Sequence, residues 1–189
     1  CSFNNNHKFT LEMFSAWMRI LHQVPGSVLW LLADNDTARE NMLRQADAEG
    51  VARERLIFAP RVSPAEYLAR FQLADLMLDT FPFNAGTTAS DALWMGTPIV
   101  TRAGRSYISR MAGSLLHAVG LPDLVRDSLA GYETLAVDLG RQPMRVASYK
   151  RYLAEHGRSS PLFDLPQIVR DIETEFERLA LEHRAAAAG

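Results

Sequence analysis

The sequence predicts an α/β protein built on a doubly wound, Rossmann-like parallel sheet, and three observations predict it. Short runs that are apolar on both faces recur along the chain. Each is followed by a segment of helical periodicity, and glycine or proline punctuates most junctions. Strands that alternate with helices in this way pair in parallel through right-handed crossovers. The length of 189 residues suits one domain with a sizeable core.

Taken in order, Cys1-Ser2-Phe3-Asn4 reads as the tail of a strand running into a loop. With no initiator Met and no charged-then-apolar leader, the expectation is a segment of a longer chain. Leu11–Val24 spaces Leu11, Phe14, Trp17, Met18 and Leu21 for an amphipathic helix, stopped by Pro25-Gly26. Ser27–Ala33 is an apolar strand. Thr37–Glu49 is a polar helix with Met42, Leu43 and Ala46 inward, closed by Gly50. Arg55–Ala59 is the next strand. Ser63 then caps a helix with Pro64 at its first position and Glu66 completing a capping box. That helix runs to about Leu73, and Ala74–Asp79 is a strand. The loop Thr80–Gly86 feeds a helix over Thr88–Met95, and Pro98–Thr101 is a strand. Ser109–Val119 is helical, Leu121–Val125 is a short last strand, and helices cover Ser128–Leu139, Pro143–Glu155 and Pro166–Ala187.

Composition excludes several functions. An apolar fraction of 48% and a charged fraction of 22% are ordinary for a soluble domain. The longest apolar stretches are strand-sized, so no membrane span is expected. A formal net charge of −2 leaves no basic excess for a nucleic-acid backbone. The single cysteine, Cys1, rules out an intrachain disulfide or a cysteine-based zinc site and is compatible with a reducing compartment. No Walker Gly-Lys-Ser/Thr, no GxGxxG after a strand, no HxxxH or HxH pair and no GxSxG elbow occurs. ATPase, dehydrogenase, metalloenzyme and hydrolase readings weaken accordingly, and the acidic cluster of a flavodoxin-like receiver is missing too.

Ligands of open parallel sheets bind beyond the carboxyl ends of the strands, so the loops after strands carry the functional reading. The first runs from Asp79 to Asp91. Gly86 lets backbone approach a ligand, the helix start offers amides and a positive dipole end, Thr87 and Thr88 add hydroxyls, and Asp91 can accept from sugar hydroxyls. The same residues read equally well as an ordinary helix start, with Thr88 as N-cap. The second loop, Asn4-Asn5-Asn6-His7-Lys8, offers amides and a cation for a phosphate, or simply makes a solvated turn. The third is Pro60-Arg61-Val62-Ser63 with Tyr67 and Arg70, a ring to stack on a base and a guanidinium to meet its carbonyls, or half-buried surface residues.

The runs Pro25–Leu32 (PGSVLWLL), Arg55–Pro60 (RLIFAP), Gln72–Thr80 (QLADLMLDT), Asn84–Thr101 (NAGTTASDALWMGTPIVT), Ser109–Leu121 (SRMAGSLLHAVGL) and Ser159–Phe163 (SSPLF) resemble, in order and spacing, the C-terminal catalytic lobe of protein O-GlcNAc transferase and SPINDLY-like glycosyltransferases. The match extends from Cys1 to about Phe176. The resemblance implies the donor-binding half of a two-lobed GT-B enzyme with extra C-terminal helices. Such a cytoplasmic enzyme moves a sugar from UDP-GlcNAc or a similar nucleotide sugar to Ser/Thr of proteins, without a metal or other cofactor. Acceptors would be bound by tandem helical (TPR) repeats that, like the N-terminal lobe, are not in this chain. By position, Lys8 corresponds to the lysine that neutralises the leaving diphosphate, and Asn5 stands where the family often has Gln. Thr87, Thr88 and the helix amides would hold the diphosphate, Asp91 the ribose, and Val62 the base, with Arg70 beside it. Gly86 replaces the His of animal enzymes, as in SPINDLY-like members. Tyr67 stands where a His often stacks on uracil, and Pro64 where a ribose-pocket lysine is expected. SPINDLY-like members can use GDP-fucose, so the identity of the donor stays open, as does a non-catalytic nucleotide-binding module.

Overall fold

The computed structural model describes residues 1–32 and 35–187. Five strands are formed among the described residues: β1 (Leu29–Leu32), β2 (Leu56–Ala59), β3 (Met77–Leu78), β4 (Ile99–Arg102) and β5 (Val125–Arg126). Pairing is parallel throughout, β1 with β2, and β3 with β4 with β5. The opening segment Cys1–Phe3 joins the two groups. Ser2 bridges Leu31 in parallel and donates its amide to Trp30 O at 2.9 Å, while Cys1 O accepts from Leu78 N at 2.8 Å. With that segment counted first, the spatial order is 3-2-1-4-5-6, the order of nucleotide-binding doubly wound sheets.

Eight α-helices accompany the strands among the described residues: α1 (Leu11–Gln23), α2 (Asp36–Ala48), α3 (Pro64–Leu73), α4 (Thr87–Trp94), α5 (Met111–Ala118), α6 (Leu129–Arg141), α7 (Pro143–His156) and α8 (Leu165–Ala187). Local chemistry explains their ends. Thr10 caps α1, and the Ser63–Glu66 capping box closes as expected, with Pro64 in the first turn where a missing N–H costs nothing. Gly50, at φ 74°, supplies the left-handed residue that ends α2. Pro143 opens α7 and so divides it from α6.

Two expectations shift, and a third is not tested. Leu11 is 66% exposed, and α1 instead buries Met13 beside Phe14, Trp17, Met18 and Leu21. The last strand starts later than Leu121, because Pro122–Leu124 makes a 3-10 turn; Pro122 has no N–H to give a ladder. Ala33, expected to end the strand over β1, lies outside the described residues.

The core is continuous across the sheet, from Phe3, Met13, Trp17 and Leu31 to Met77, Ile99, Leu116 and Leu124. α1 packs on α6, which lies over β4, while α3, α4 and α5 pack in a row, the last two also against β4. One buried polar thread crosses these layers: Trp17 Nε1 donates to the Tyr132 hydroxyl at 3.0 Å, which donates to Asp79 O at 3.0 Å. It ties α1 and α6 to the end of β3, where the candidate site begins. Helix α8 leaves Leu165, Val169, Ile172, Phe176 and Leu179 exposed.

Candidate functional site

The strand order reverses between the opening segment and β3, and in doubly wound sheets the crevice for ligands lies at such a switch point, beyond the carboxyl ends of the strands. The loops that follow these two strands are the ones singled out in the sequence. From the first comes Lys8, at the end of a 3-10 turn (Asn6–Lys8). Asn5 caps this turn, its Oδ1 accepting the His7 amide at 3.3 Å. Lys8 is half-buried, and its Nζ reaches across the crevice to Asn84 O at 3.4 Å, with Asn4 Oδ1 also at 3.4 Å. The Phe83 ring covers a third side, 4.4 Å from Nζ to its centroid. Burial holds the Lys8 ammonium below its ordinary value, and the charge of Asp79 partly offsets that.

The second loop is built on Asp79, which is 1% exposed. Its Oδ1 accepts the Ala85 amide at 2.8 Å and its Oδ2 the Thr101 hydroxyl at 2.6 Å. Burial pushes its carboxyl up to about 6, while these bonds and the nearby Lys8 pull the other way. Asn84, also buried, donates Nδ2 to Thr80 O at 2.7 Å and to Arg102 O at 3.3 Å. The loop is thus laced from inside, and it delivers Ala85 and Gly86 to the start of α4 in a set position.

Gly86, not Thr88, is the N-cap of α4, and among the described residues no side chain caps this helix. Thr87 is exposed and Thr88 half-buried in its first turn. The amides there and the positive end of the helix dipole face outward beside Lys8. A Cβ on Gly86 would meet only Met111 Cγ, at 3.6 Å, so packing inside the chain does not demand glycine there.

Tyr67 on α3 comes to the same helix. Its hydroxyl lies near the side chains of Asp91 and Thr88, and burial and the Asp91 charge hold the phenol well above its ordinary value. Asp91 is raised by burial and lowered by this tyrosine. The Tyr67 ring packs edge-on against Phe71, with centroids 5.3 Å apart. Val62 is 37% exposed after β2, and Arg70 Nη1 holds that loop through Pro60 O at 2.7 Å. Tyr67, Thr88 and Asp91 therefore form one cluster, Lys8 and the 79–86 loop another beside it, and Val62 with Arg70 an outer wall beyond β2.

Asp79, Asn84 and Thr101 carry this geometry without having been assigned an individual role from sequence, and Asn4, expected as an amide for a phosphate, accepts from Lys8. Asp79 reads as a strand end, and only the fold shows that its carboxylate turns inward to the loop. Chemically, an ammonium, an uncapped helix start and two hydroxyls on one crevice stabilise negative charge. Among the described residues no cluster of three or more His, Cys, Asp or Glu is placed to hold a metal.

The model of glycosyl transferase family 41 matches residues 1–172. The chain belongs to that family. It is 36% identical over 92% of its length to a UDP-N-acetylglucosamine–peptide N-acetylglucosaminyltransferase of Caenorhabditis elegans, covering 15% of that protein. It is 31% identical over 94% of its length to the probable transferase SPINDLY of Petunia hybrida, covering 20% of it. A solved mutant O-GlcNAc transferase of Thermobaculum terrenum superposes with a TM-score of 0.88 at 30% identity, over 94% of this chain and 35% of that one. The family 41 chain thus spans less than a quarter of the curated relatives named here, and about a third of the solved structure. The doubly wound α/β fold expected from the sequence is the fold found.

Proposed function

We propose that this chain is the nucleotide-sugar-binding lobe of a cytoplasmic glycosyltransferase that passes a sugar, GlcNAc from UDP-GlcNAc, to Ser/Thr hydroxyls of proteins. One observation carries the reading: Lys8 Nζ lies on the carbonyl of Asn84, two residues before the uncapped start of α4. Departure of a nucleoside diphosphate needs two developing negative charges stabilised, and a fixed ammonium beside free helix amides does that electrostatically. Under this reading Lys8 is the catalytic residue and no metal is required. Thr87 and Thr88 donate to the diphosphate, and Asp91 moves from Tyr67 to the ribose hydroxyls. The Val62 backbone and Tyr67 meet the base with Arg70 behind, and Asn5 sits beside the diphosphate. Protein acceptors would be bound by parts of the relatives' length that this chain does not span. The names of the relatives support the donor, and a single cysteine is compatible with a reducing compartment. Among the described residues no helix is long and apolar enough to cross a membrane.

Gly86 and Tyr67, which stand where animal enzymes have histidines, favour a second donor, GDP-fucose. Calorimetry of the chain with UDP, UDP-GlcNAc, GDP and GDP-fucose, each with and without EDTA, tests both. Binding of a uracil nucleotide in EDTA, without turnover of a protein acceptor by this chain alone, is expected. Preference for the guanine nucleotides selects the second donor, and binding of none of the four refutes the site.

A further inference from the structure

Two fully buried asparagines contact Lys8, and the side chain of neither is used in the reading above. Asn4 ends the opening segment; its Oδ1 accepts from Lys8 Nζ, and its Nδ2 is buried with no partner among the described residues. Asn84 gives Nδ2 to Thr80 O and Arg102 O, which fixes the loop so that its own carbonyl faces Lys8; its Oδ1 is likewise buried and unpartnered. Orphaned amide atoms in a core are costly, and proteins retain such local conflicts where a site demands a particular group. Here the Asn4 side chain and the Asn84 backbone carbonyl meet the same ammonium.

We propose that Asn4 and Asn84 are positioning residues that aim the Lys8 ammonium across the crevice at the diphosphate, Asn4 through its side chain and Asn84 by fixing its carbonyl. A lysine carries four rotatable bonds and a compact charge, so an unaimed Lys8 would spread over solvent-facing rotamers. Two acceptors at 3.4 Å and the Phe83 ring hold it against the loop that leads into α4. The bonds are long, so a diphosphate oxygen draws the ammonium forward without first breaking a tight ion pair. The inference rests on the diphosphate reading of Lys8.

The test is a double-mutant cycle of Asn4→Ala and Lys8→Ala, with UDP and uridine titrated by calorimetry. Asn4→Ala should weaken UDP by about tenfold, the scale of one hydrogen bond to a charged group, and leave uridine within about twofold. In the Lys8→Ala background it should be silent toward UDP. An equal loss in both backgrounds, an equal loss for uridine, or no loss for UDP overturns the assignment. If Lys8→Ala itself leaves UDP binding unchanged, or the wild type binds no UDP, the diphosphate reading fails instead. Nitrogen-15 NMR of the Lys8 ammonium in the ligand-free chain then decides the aiming. Asn4→Ala should sharply raise its exchange with solvent, and an unaltered signal overturns the proposal. Asn4→Ser, a smaller acceptor, replaces Asn4→Ala if that variant does not fold and should show the same effects in weaker form.

Discussion

Asp79 carries a stability cost that a single isosteric change should expose. Its carboxyl, ordinarily at 3.8, is raised to about 6 by burial beneath the 79–86 loop. A raised native value means that the folded state holds the proton more tightly than the unfolded chain does. The contribution is therefore complete below pH 3.8 and is lost as pH rises through about 6. Each pH unit between those two values is worth about 1.36 kcal/mol, so the whole interval is worth about 3 kcal/mol. Asp79→Asn removes the titration but keeps the shape: its Oδ1 still accepts the Ala85 amide, and its Nδ2 can donate to Thr101 Oγ1 after the hydroxyl turns. Urea unfolding followed by circular dichroism, every half unit from about pH 3 to 8, measures both proteins. Subtracting the variant's profile from the wild type's cancels the other titrating groups. The difference should fall by about 3 kcal/mol across the window, a midpoint change of about 1 M or more at slopes of about 1–3 kcal/mol/M. Parallel profiles would refute the argument, because a buried carboxylate that costs nothing to ionise is not desolvated as the structure has it.

Other expectations follow from the same geometry. In an enzyme that contains this lobe, Lys8→Ala should lower kcat by about 10²–10³ with a smaller change in donor affinity, since the charge acts mainly on the leaving group; steady-state turnover within a factor of two of wild type would make Lys8 a surface residue. Changing Thr87 and Thr88 together to Val deletes two hydroxyl donors at roughly 1.5–3 kcal/mol each. Calorimetry should then show UDP binding at least tenfold weaker at nearly constant Tm, and since neither hydroxyl caps α4, unfolding of this variant would count against the structure. Tyr132→Phe orphans the Trp17 indole N–H and the Asp79 carbonyl. It should cost about 1–3 kcal/mol in urea unfolding while leaving the fluorescence-monitored UDP affinity unchanged.

Much of this architecture was legible because its signals are local. The apolar runs over β1, β2 and β4, the Ser63–Glu66 capping box and Gly50 each announce themselves within a few residues. The loops with Lys8 and Gly86-Thr87-Thr88 were legible as positions after strands, and their meeting in space follows from sheet order. Less legible were residues whose partners are far along the chain. Asn84 bonds Lys8 76 residues away, Tyr132 bonds Asp79 across 53, and nothing beside any of them in sequence says so. The cap of α4 was also ambiguous, because Thr88 satisfies the local rule for an N-cap and only the backbone geometry gives that place to Gly86. Leu11 misled for a different reason: its spacing fits the α1 stripe, but Met13 and Phe14 take the buried positions of the first turn and leave Leu11 exposed.

The reversal of strand order beside the opening segment separates two tasks that one pocket must perform. Charge handling falls to the central strands, where Lys8 and the loop of Asp79 are tied into the core by buried bonds. Recognition of the base falls, on the proposed reading, to Val62, Tyr67 and Arg70, which hang from β2 and α3 toward the sheet's edge. Val62 is exposed and makes few commitments to the interior. On that reading, substitutions at Val62 and Arg70 change which nucleotide is accepted while the anchor for its phosphates stays untouched, whereas Tyr67, beside Thr88 and Asp91, is shared by both tasks. A lineage built on this scaffold can diversify its donors one loop at a time, and an engineer seeking a new donor should randomise the β2–α3 connection before touching anything beneath α4.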